Sequence, residues 1–395
     1  MRDILFYNGK ILAENGCIPE GYVTVKDGRI CEVGAGKPEK IQTARTVNLQ
    51  GHYLSPGFID MHTHGGGGSD FMDGTPQAFK DACRMHLSHG TTTLCPTSMA
   101  SDDQDLYLFF LAFKEVVKET QGMPHLPGVH LEGPYFSEKQ AGAQPPECMK
   151  TPFPDHFHKV MEWAEGTIIR WSCAPEVEGV LEMGKKLRDQ QILLSIAHTD
   201  ADLELVEKAM DAGYCHLTHF YSGMPLLKRV NGYRVLGAVE AGYLLDDLYL
   251  EIIGDGIHLP PELLKLIFKC KRLDHIQLVT DSMRAAGMPE GESVLGSRKY
   301  DCRVIVEDGI AKMPDRSCFA GSVATADRMM RVVTKQAGLD LWDAVRLMTA
   351  NPAKLLHIDS QTGSIAEGKL ADLVVFDEEI HIRQVYVAGE QVVES

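Results

Sequence analysis

Residues 57–64 of the chain read Gly-Phe-Ile-Asp-Met-His-Thr-His, a short apolar run that ends in two histidines. The run has the length of a β-strand, and the alternation of side chains along a strand places His62 and His64 on the same face. Similar short runs recur downstream, and helical patterns lie between most of them. The candidate strands comprise residues 57–62, 92–96, 128–132, 168–174, 192–198, 215–220, 249–254 and 276–280.

This alternation of strands and helices predicts the class of fold. Strands that alternate with helices form a parallel sheet, and eight such units are typical of a closed barrel. We therefore predict an α/β protein built on a (β/α)8 TIM barrel. Two further helical segments, residues 325–337 and 341–349, follow the eighth strand.

The two ends of the chain have a different pattern. Both alternate apolar and polar residues, and Asn8-Gly9 and Asp27-Gly28 are hairpin signals. We expect a small β-sandwich domain formed from both termini, with two separate sheet edges as the alternative. The predicted domains are residues 1–54 and 356–395 for the small β domain and residues 55–355 for the barrel.

Composition excludes several classes of protein. Of 395 residues, 44% are hydrophobic and 24% are charged, as in an ordinary globular protein rather than a disordered chain. The net charge of −16 argues against a nucleic-acid or anionic-membrane partner, and the longest apolar stretch, residues 106–113, is too short to span a bilayer. Ten scattered cysteines without a CxxC pair, and no signal-peptide pattern, lead us to expect a cytoplasmic protein.

Ionisable residues fall repeatedly at the predicted ends of the barrel strands, where parallel barrels carry their active sites. Packing alone does not explain this, because buried charged groups are costly unless they are paired or bind a metal. We therefore predict a metal-dependent hydrolase. Imidazole and carboxylate ligands suit zinc, iron, cobalt or manganese rather than calcium. The residues are His62, His64, His130, Glu132, His198, His219, Asp255, His258 and Asp281.

Asp281 ends the eighth strand and is the candidate for moving protons during hydrolysis, since a carboxylate beside a bound water can accept and return its proton. The alternative role for Asp281 is a helix N-cap.

Four glycines at residues 65–68 follow the first strand without the GxGxxG spacing of a dinucleotide site. We interpret them as a source of backbone flexibility beside the metal ligands.

Several motifs together resemble a known family. Residues 54–64 (LSPGFIDMHTH) resemble the first strand of the amidohydrolase superfamily. The ordered set that follows is similar, within that superfamily, to the N-acetylglucosamine-6-phosphate deacetylases. The set is GVHLEGP (128–134), SIAHT (195–199), HLTH (216–219), GDGIHL (254–259), LVTDSM (278–283) and FAGS (319–322).

The resemblance implies hydrolysis of the acetamide of N-acetylglucosamine 6-phosphate to glucosamine 6-phosphate and acetate, in a homodimer. It implies one or two divalent ions per subunit, zinc or alternatively iron, cobalt or manganese. The roles that it implies are metal binding by Glu132, His198 and His219, a second metal on His62 and His64, proton transfer by Asp281, and substrate contacts by His258, Phe319 and Ala320.

Three departures from the family pattern concern substrate recognition. Gln144 stands where many members have a histidine that contacts the acetyl oxygen. Ser222-Gly223 stands where members often have Asn-Ala near the phosphate. The phosphate-binding arginine of the family has no clear match, and Arg229 or Arg234 is a candidate.

These departures leave alternative functions open. The first is deacetylation of N-acetylgalactosamine 6-phosphate. The second is another amidohydrolase activity, on a cyclic amide, an aminated base or a dipeptide. The third is a catalytically silent paralogue that binds a sugar phosphate. In all but the second, the expected partner is a small amino-sugar phosphate.

Overall fold

The computed structural model describes residues 3–38, 45–300 and 302–394, and its elements form an α/β structure. Strands without intervening helices lie at the two ends of the chain, and short buried strands alternate with helices between them, as predicted. The strands are β1 (Ile4–Ala13), β2 (Gly16–Lys26), β3 (Arg29–Ala35), β4 (Arg45–Asn48), β5 (Tyr53–Pro56), β6 (Phe58–Thr63), β7 (Gly65–Gly66), β8 (Ser69–Asp70), β9 (Thr91–Pro96), β10 (Val129–Glu132), β11 (Ile168–Cys173), β12 (Leu193–Ile196), β13 (His216–Leu217), β14 (Lys228–Val230), β15 (Tyr233–Val235), β16 (Tyr249–Ile253), β17 (Ile276–Val279), β18 (Gly291–Val294), β19 (Arg303–Glu307), β20 (Ile310–Lys312), β21 (Leu373–Phe376), β22 (Ile382–Val387) and β23 (Glu390–Glu394).

Several helices begin at a side chain that accepts a hydrogen bond from the first turn, as Thr75, Asp102 and Asp202 do. Within the described residues, no helix is both long and apolar enough to cross a membrane. The α-helices are α1 (Pro76–Ser88), α2 (Asp103–Val116), α3 (His156–Ala164), α4 (Val180–Leu187), α5 (Leu203–Asp211), α6 (Ala238–Leu244), α7 (Pro261–Cys270), α8 (Ala326–Arg331), α9 (Leu341–Leu347) and α10 (Ala350–Leu355).

The helices after the eighth predicted strand differ in detail from the expectation. The segment predicted as one helix over 325–337 is α8 followed by a π-helical turn, Val332–Gln336. A further helix, α10, was not predicted separately. It contains Pro352 in its first turn, where a missing N–H costs no internal hydrogen bond.

Eight strands in the middle of the chain pair in parallel with their neighbours in sequence. Strands β10, β11, β12, β13, β16 and β17 form one sheet in that order, and β6 pairs with β9. The Leu94 amide donates to His125 O between β9 and the segment before β10. The Asp281 amide, after β17, donates to His62 O of β6 at 2.9 Å. Backbone hydrogen bonds therefore connect the last of these strands with the first.

The two ends of the chain share one eight-stranded sheet. Strand β5 pairs in parallel with β1 and antiparallel with β21, so that Pro56 lies opposite Leu373. The core of this sheet includes Phe6 and Tyr386, whose rings meet edge to face. The terminal strands are thus joined by hydrogen bonds, and they are not two separate sheet edges.

The sixth predicted strand is much shorter than expected. We predicted residues 215–220, but β13 contains only His216–Leu217. The backbone leaves the extended region soon afterwards, because His219 has a φ of 34° and adopts the left-handed conformation. Because the strand ends early, His219 lies outside it, in a left-handed turn rather than in extended backbone.

Candidate active site

The carboxyl ends of four parallel strands bring five side chains together. Glu132 is the last residue of β10, and His62 lies in β6 with His64 just after it. His198 and His219 each lie two residues beyond a strand, β12 and β13. All five are buried. The sequence-predicted ligands therefore converge at the end of the strands where parallel barrels carry their sites.

Three of the residues at these strand ends have left-handed backbones. The φ angles are 45° at His198, 34° at His219 and 47° at Asp281. Residues other than glycine adopt this region at a cost of the order of 1–3 kcal/mol, and such strain concentrates at functional sites. Here it occurs at three of the residues predicted to carry the chemistry.

Glu132, His198 and His219 form the first ligand group. Oε1 of Glu132 lies 3.1 Å from Nε2 of His219 and 3.4 Å from Nε2 of His198. The two Nε2 atoms are 3.2 Å apart. One oxygen and two nitrogens thus surround a single point, as ligands of an ion do.

Hydrogen bonds at the far side of each ring show that this group fits a cation. Nδ1 of His198 donates to Gln140 O at 2.8 Å, and Nδ1 of His219 donates to Ser222 O at 3.1 Å. A carbonyl oxygen only accepts, so in the neutral rings both Nε2 atoms carry lone pairs. Two lone pairs and a carboxylate oxygen in contact repel one another, and a divalent cation between them removes that repulsion.

His62, His64 and Glu132 form the second ligand group. Nε2 of His62 is 3.3 Å from Nε2 of His64, and His64 lies 3.4 Å from Glu132 Oε2. Glu132 belongs to both groups, with Oε1 nearer the first and Oε2 nearer His64. The arrangement can hold two ions with Glu132 as the shared ligand.

Asp281 lies beside the second group and shares a cavity with the first. Its Oδ1 atom is 3.3 Å from Nε2 of His62 and 3.2 Å from Nε2 of His64. It also faces the same cavity as Glu132. A carboxylate in this position can ligate a cation or exchange a proton with a molecule bound next to it.

Both carboxylates are held in the ionised form. Burial opposes ionisation of Glu132, but the four imidazoles that surround the carboxylate outweigh it and hold the pKa of Glu132 well below its ordinary value. The pKa of Asp281 is lowered in the same way, against burial, by His62 and His64. Ionised carboxylates suit both metal binding and proton acceptance.

Gln144 contacts Glu132 directly. Its Nε2 donates to Glu132 Oε2 at 2.7 Å, and its Oε1 accepts from the amide of Ala100 at 2.9 Å. The second bond fixes which end of the amide faces the carboxylate. We predicted Gln144 as a substrate contact, and the structure places it in the cavity wall with its amide oriented toward Glu132.

A cavity of about 310 Å³ opens above the two ligand groups. Four of the predicted substrate contacts besides Gln144 line it: Ser222, Gly223, His258 and Phe319. Nδ1 of His258 is 2.7 Å from the carboxylate of Asp255. The ring of His258 also meets that of Phe319 edge to face. One volume therefore contacts the ligand groups, Asp281 and most predicted substrate contacts.

Two predicted substrate contacts do not line this cavity. Ala320 is fully buried, and its amide donates to Ala311 O of β20. Arg229 lies on the exposed β14–β15 hairpin, as does Arg234. Within the described part of the chain, neither lysine nor arginine lines the cavity.

Of the four glycines after β6, Gly65 and Gly66 are closely packed. A Cβ atom at Gly65 would lie 2.3 Å from Ser69 O, so only glycine fits there. The amides of Gly65 and Gly67 donate to Ser282 O and Ala286 O in the loop after β17. Backbone flexibility beside the metal ligands stays a prediction for this segment. The segment joins two loops beside the ligand groups through hydrogen bonds.

Sequence reasoning missed two buried charged residues next to the site, Arg170 and Glu251. They form an ion pair, and Glu251 contacts His62. A signal was available: each lies within an otherwise apolar strand that was predicted to be buried, and a charged residue there requires a partner.

Comparison with known proteins defines the family. The amidohydrolase family model matches residues 53–392. The chain is 32% identical to the N-acetylglucosamine-6-phosphate deacetylase of Bacillus subtilis, over 94% of this chain and 92% of that protein. It is 30% identical to the N-acetylgalactosamine-6-phosphate deacetylase of Escherichia coli O157:H7, over 96% and 97%.

A solved structure agrees with these relatives. A mutant N-acetyl-D-glucosamine-6-phosphate deacetylase from Mycobacterium smegmatis, in complex with N-acetyl-D-glucosamine-6-phosphate, superimposes with a TM-score of 0.90. The two sequences are 30% identical, and the match covers 99% of each chain. The chain therefore belongs to the amidohydrolase family. Its predicted resemblance to the N-acetylglucosamine-6-phosphate deacetylases within that family is confirmed.

Proposed function

We propose that the protein hydrolyses the acetamide of N-acetylglucosamine 6-phosphate to glucosamine 6-phosphate and acetate. The observation that carries this proposal is the convergence of Glu132, His198, His219 and Asp281 on one cavity. Similarity to deacetylases over nearly the whole chain supports the substrate class.

In this proposal the first ligand group holds a divalent ion, and His62 with His64 can hold a second. Such an ion polarises a carbonyl and lowers the pKa of a bound water toward about 7. The nitrogen-rich donor set favours zinc, with iron, cobalt or manganese as alternatives. Gln144 holds the Glu132 carboxylate in its ligating orientation through the 2.7 Å hydrogen bond.

Asp281 moves the proton. Its ionised carboxylate accepts a proton from the attacking water as the new C–O bond forms at the acetyl carbon. The same carboxylic acid then gives that proton to the sugar nitrogen as the C–N bond breaks, so acetate and a free amine leave. His258 and Phe319 line the cavity, and in this proposal they contact the sugar.

Phosphate recognition in this cavity depends on few groups of this chain. Ser222 and Gly223 line it, but the described residues supply no cation to its wall. Arg229 remains a candidate only if its exposed hairpin comes to lie near the sugar phosphate.

Several apolar side chains near and on the β14–β15 hairpin are exposed, namely Leu226, Leu227, Val230 and Tyr233. Contact with a second subunit would bury them, which supports a homodimer.

The proposal also includes the closure of the barrel and the bounds of the two domains. We infer that the eight parallel strands close into a (β/α)8 barrel at residues 55–355. The small β-sandwich domain would comprise residues 1–54 and 356–395. The hydrogen bonds between the Asp281 amide and β6, and between β5 and β21, support these assignments.

Acetate release from a panel of substrates tests the proposed reaction. The metal-reconstituted protein should deacetylate N-acetylglucosamine 6-phosphate with a higher kcat/KM than N-acetylgalactosamine 6-phosphate or unphosphorylated N-acetylglucosamine. We expect a difference of at least about tenfold, because each of these two substrates loses a polar contact worth about 1–3 kcal/mol. A preference for the epimer would instead support N-acetylgalactosamine 6-phosphate, the substrate named for the E. coli relative.

Two further outcomes would contradict the proposal. Equal turnover of unphosphorylated amides would indicate another amidohydrolase activity. Absence of acetate from every acetamido sugar, with metal bound, would indicate a silent paralogue. N-acetylglucosamine 6-phosphate incubated with metal alone is the control for background hydrolysis.

A further inference from the structure

A buried ion pair lies next to the second ligand group. Arg170 of β11 and Glu251 of β16 are both fully buried, and the guanidinium contacts Oε2 of the carboxylate. Arg170 also donates to Met61 O at 3.1 Å and to Thr218 Oγ1 at 3.0 Å. The desolvation cost of burying two charges is about as large as the electrostatic attraction between them. A contribution to stability is therefore a weak explanation for this ion pair.

The other carboxylate oxygen connects this pair to both ligand groups. Oε1 of Glu251 accepts from Nδ1 of His62 at 2.8 Å and from the backbone amide of His219 at 2.9 Å. His62 belongs to the second ligand group and His219 to the first. One oxygen atom thus fixes a residue of each group.

The contact with His62 determines which ring nitrogen is available to an ion. An ionised carboxylate only accepts hydrogen bonds, so Nδ1 of His62 carries the proton. In the neutral ring, Nε2 then presents its lone pair toward Nε2 of His64, 3.3 Å away. Carboxylates that hold metal-binding histidines in this way commonly contribute tenfold to 100-fold in affinity.

The second ligand group depends on this contact more than the first does. In the first group, His198 and His219 are each held by a backbone carbonyl at Nδ1. In the second group, Nδ1 of His64 is buried without a hydrogen-bond partner among the described residues. Glu251 is therefore the partner that orients an imidazole of the second group.

We propose that Glu251, with Arg170 as its counter-charge, is a positioning residue that makes the His62, His64 and Glu132 group able to bind a second divalent ion. The inference rests on the metal-binding part of the proposed function. It predicts an effect on ion number and affinity, whichever amide is the substrate.

Two double variants separate the hydrogen bond from the charge. Arg170→Met with Glu251→Gln removes both charges but keeps an oxygen that can accept from His62. Arg170→Met with Glu251→Leu removes the acceptor as well. The control is Gln277→Met, since Gln277 lies opposite Glu251 on β17 and is equally buried.

Titration of the metal-free proteins with Co²⁺, followed by equilibrium dialysis and by the visible absorption of the bound ion, measures the effect. The wild type and the control should bind two ions. The glutamine variant should keep both, with the second bound within about tenfold of the wild-type affinity. The leucine variant should bind the second ion about 10–100-fold more weakly, with a smaller change at the first.

Three outcomes would overturn the inference. The first is wild-type affinity for the second ion in the leucine variant. The second is a loss of affinity in the glutamine variant or the control as large as that in the leucine variant, and the third is a wild type that binds only one ion at saturation. If the leucine variant does not fold, Glu251→Asp replaces it. The shorter side chain keeps the charge but withdraws the acceptor, so unchanged affinity for the second ion would also refute the inference.

This readout is independent of the reaction. A wild type that binds two ions but releases no acetate contradicts the proposed deacetylation and leaves the role of Glu251 standing. A wild type that deacetylates but whose ion affinities do not respond to the variants contradicts only the role of Glu251.

Discussion

Replacing Glu132 by glutamine should abolish metal binding at the first ligand group and, with it, acetate release. The substitution exchanges the shared carboxylate for a neutral amide of the same shape. The remaining histidines then face one another without an anionic ligand. Removing a residue that only hydrogen-bonds to a metal ligand lowers metal affinity by about 10–100-fold. Removing the ligand itself should therefore lower metal affinity by at least about 100-fold. Metal analysis after dialysis measures this directly.

The matched control is Glu178→Gln, which makes the same chemical change at an exposed position. It should keep full metal content and activity. Retention of a full equivalent of metal by Glu132→Gln, at wild-type affinity, would show that Glu132 is not the principal ligand.

Asp281→Asn should separate proton transfer from metal binding. The asparagine retains the size of the side chain but cannot accept and return a proton, so kcat should fall by about 10²–10⁴. KM should change little, because the first ligand group and the other residues of the cavity wall are untouched. Steady-state acetate release and metal content of the same preparation measure both effects.

Asp247→Asn, a substitution at an exposed aspartate, serves as the reference for this variant. If Asp281→Asn keeps turnover within a few-fold of the reference, another group moves the proton. If turnover falls only in proportion to lost metal, Asp281 acts as a ligand rather than as the acid and base.

Much of the fold could be predicted because each buried parallel strand leaves a local signal. Short apolar runs such as the one ending at His62 stand out between helical patterns. The pairing of the two chain ends was predicted from similar alternation, although the sequence did not decide between one sheet and two. The boundaries of β12 and β13 could not be predicted, because His198 and His219 adopt left-handed backbones that tertiary contacts impose.

The predicted metal ligands could be identified because all of them lie at strand ends. What the sequence could not show is how side chains from distant segments meet. The contact of Glu251 with His62 joins residues that are 189 positions apart in the chain. The hydrogen bond from Gln144 to Glu132 spans only 12 positions, but it depends on how the loop after β10 folds back. Arg229 stays a prediction: it lies on an exposed hairpin, and the sequence could not show what that hairpin contacts.

The central claim is that Glu132, His198 and His219 bind one divalent ion. Anomalous diffraction from crystals of the zinc-loaded protein, recorded on both sides of the zinc absorption edge, tests it most directly. We expect an edge-dependent peak about 2.0–2.2 Å from the carboxylate oxygen and from both Nε2 atoms. A peak elsewhere, or no peak between these three side chains in protein that carries stoichiometric zinc, would contradict it.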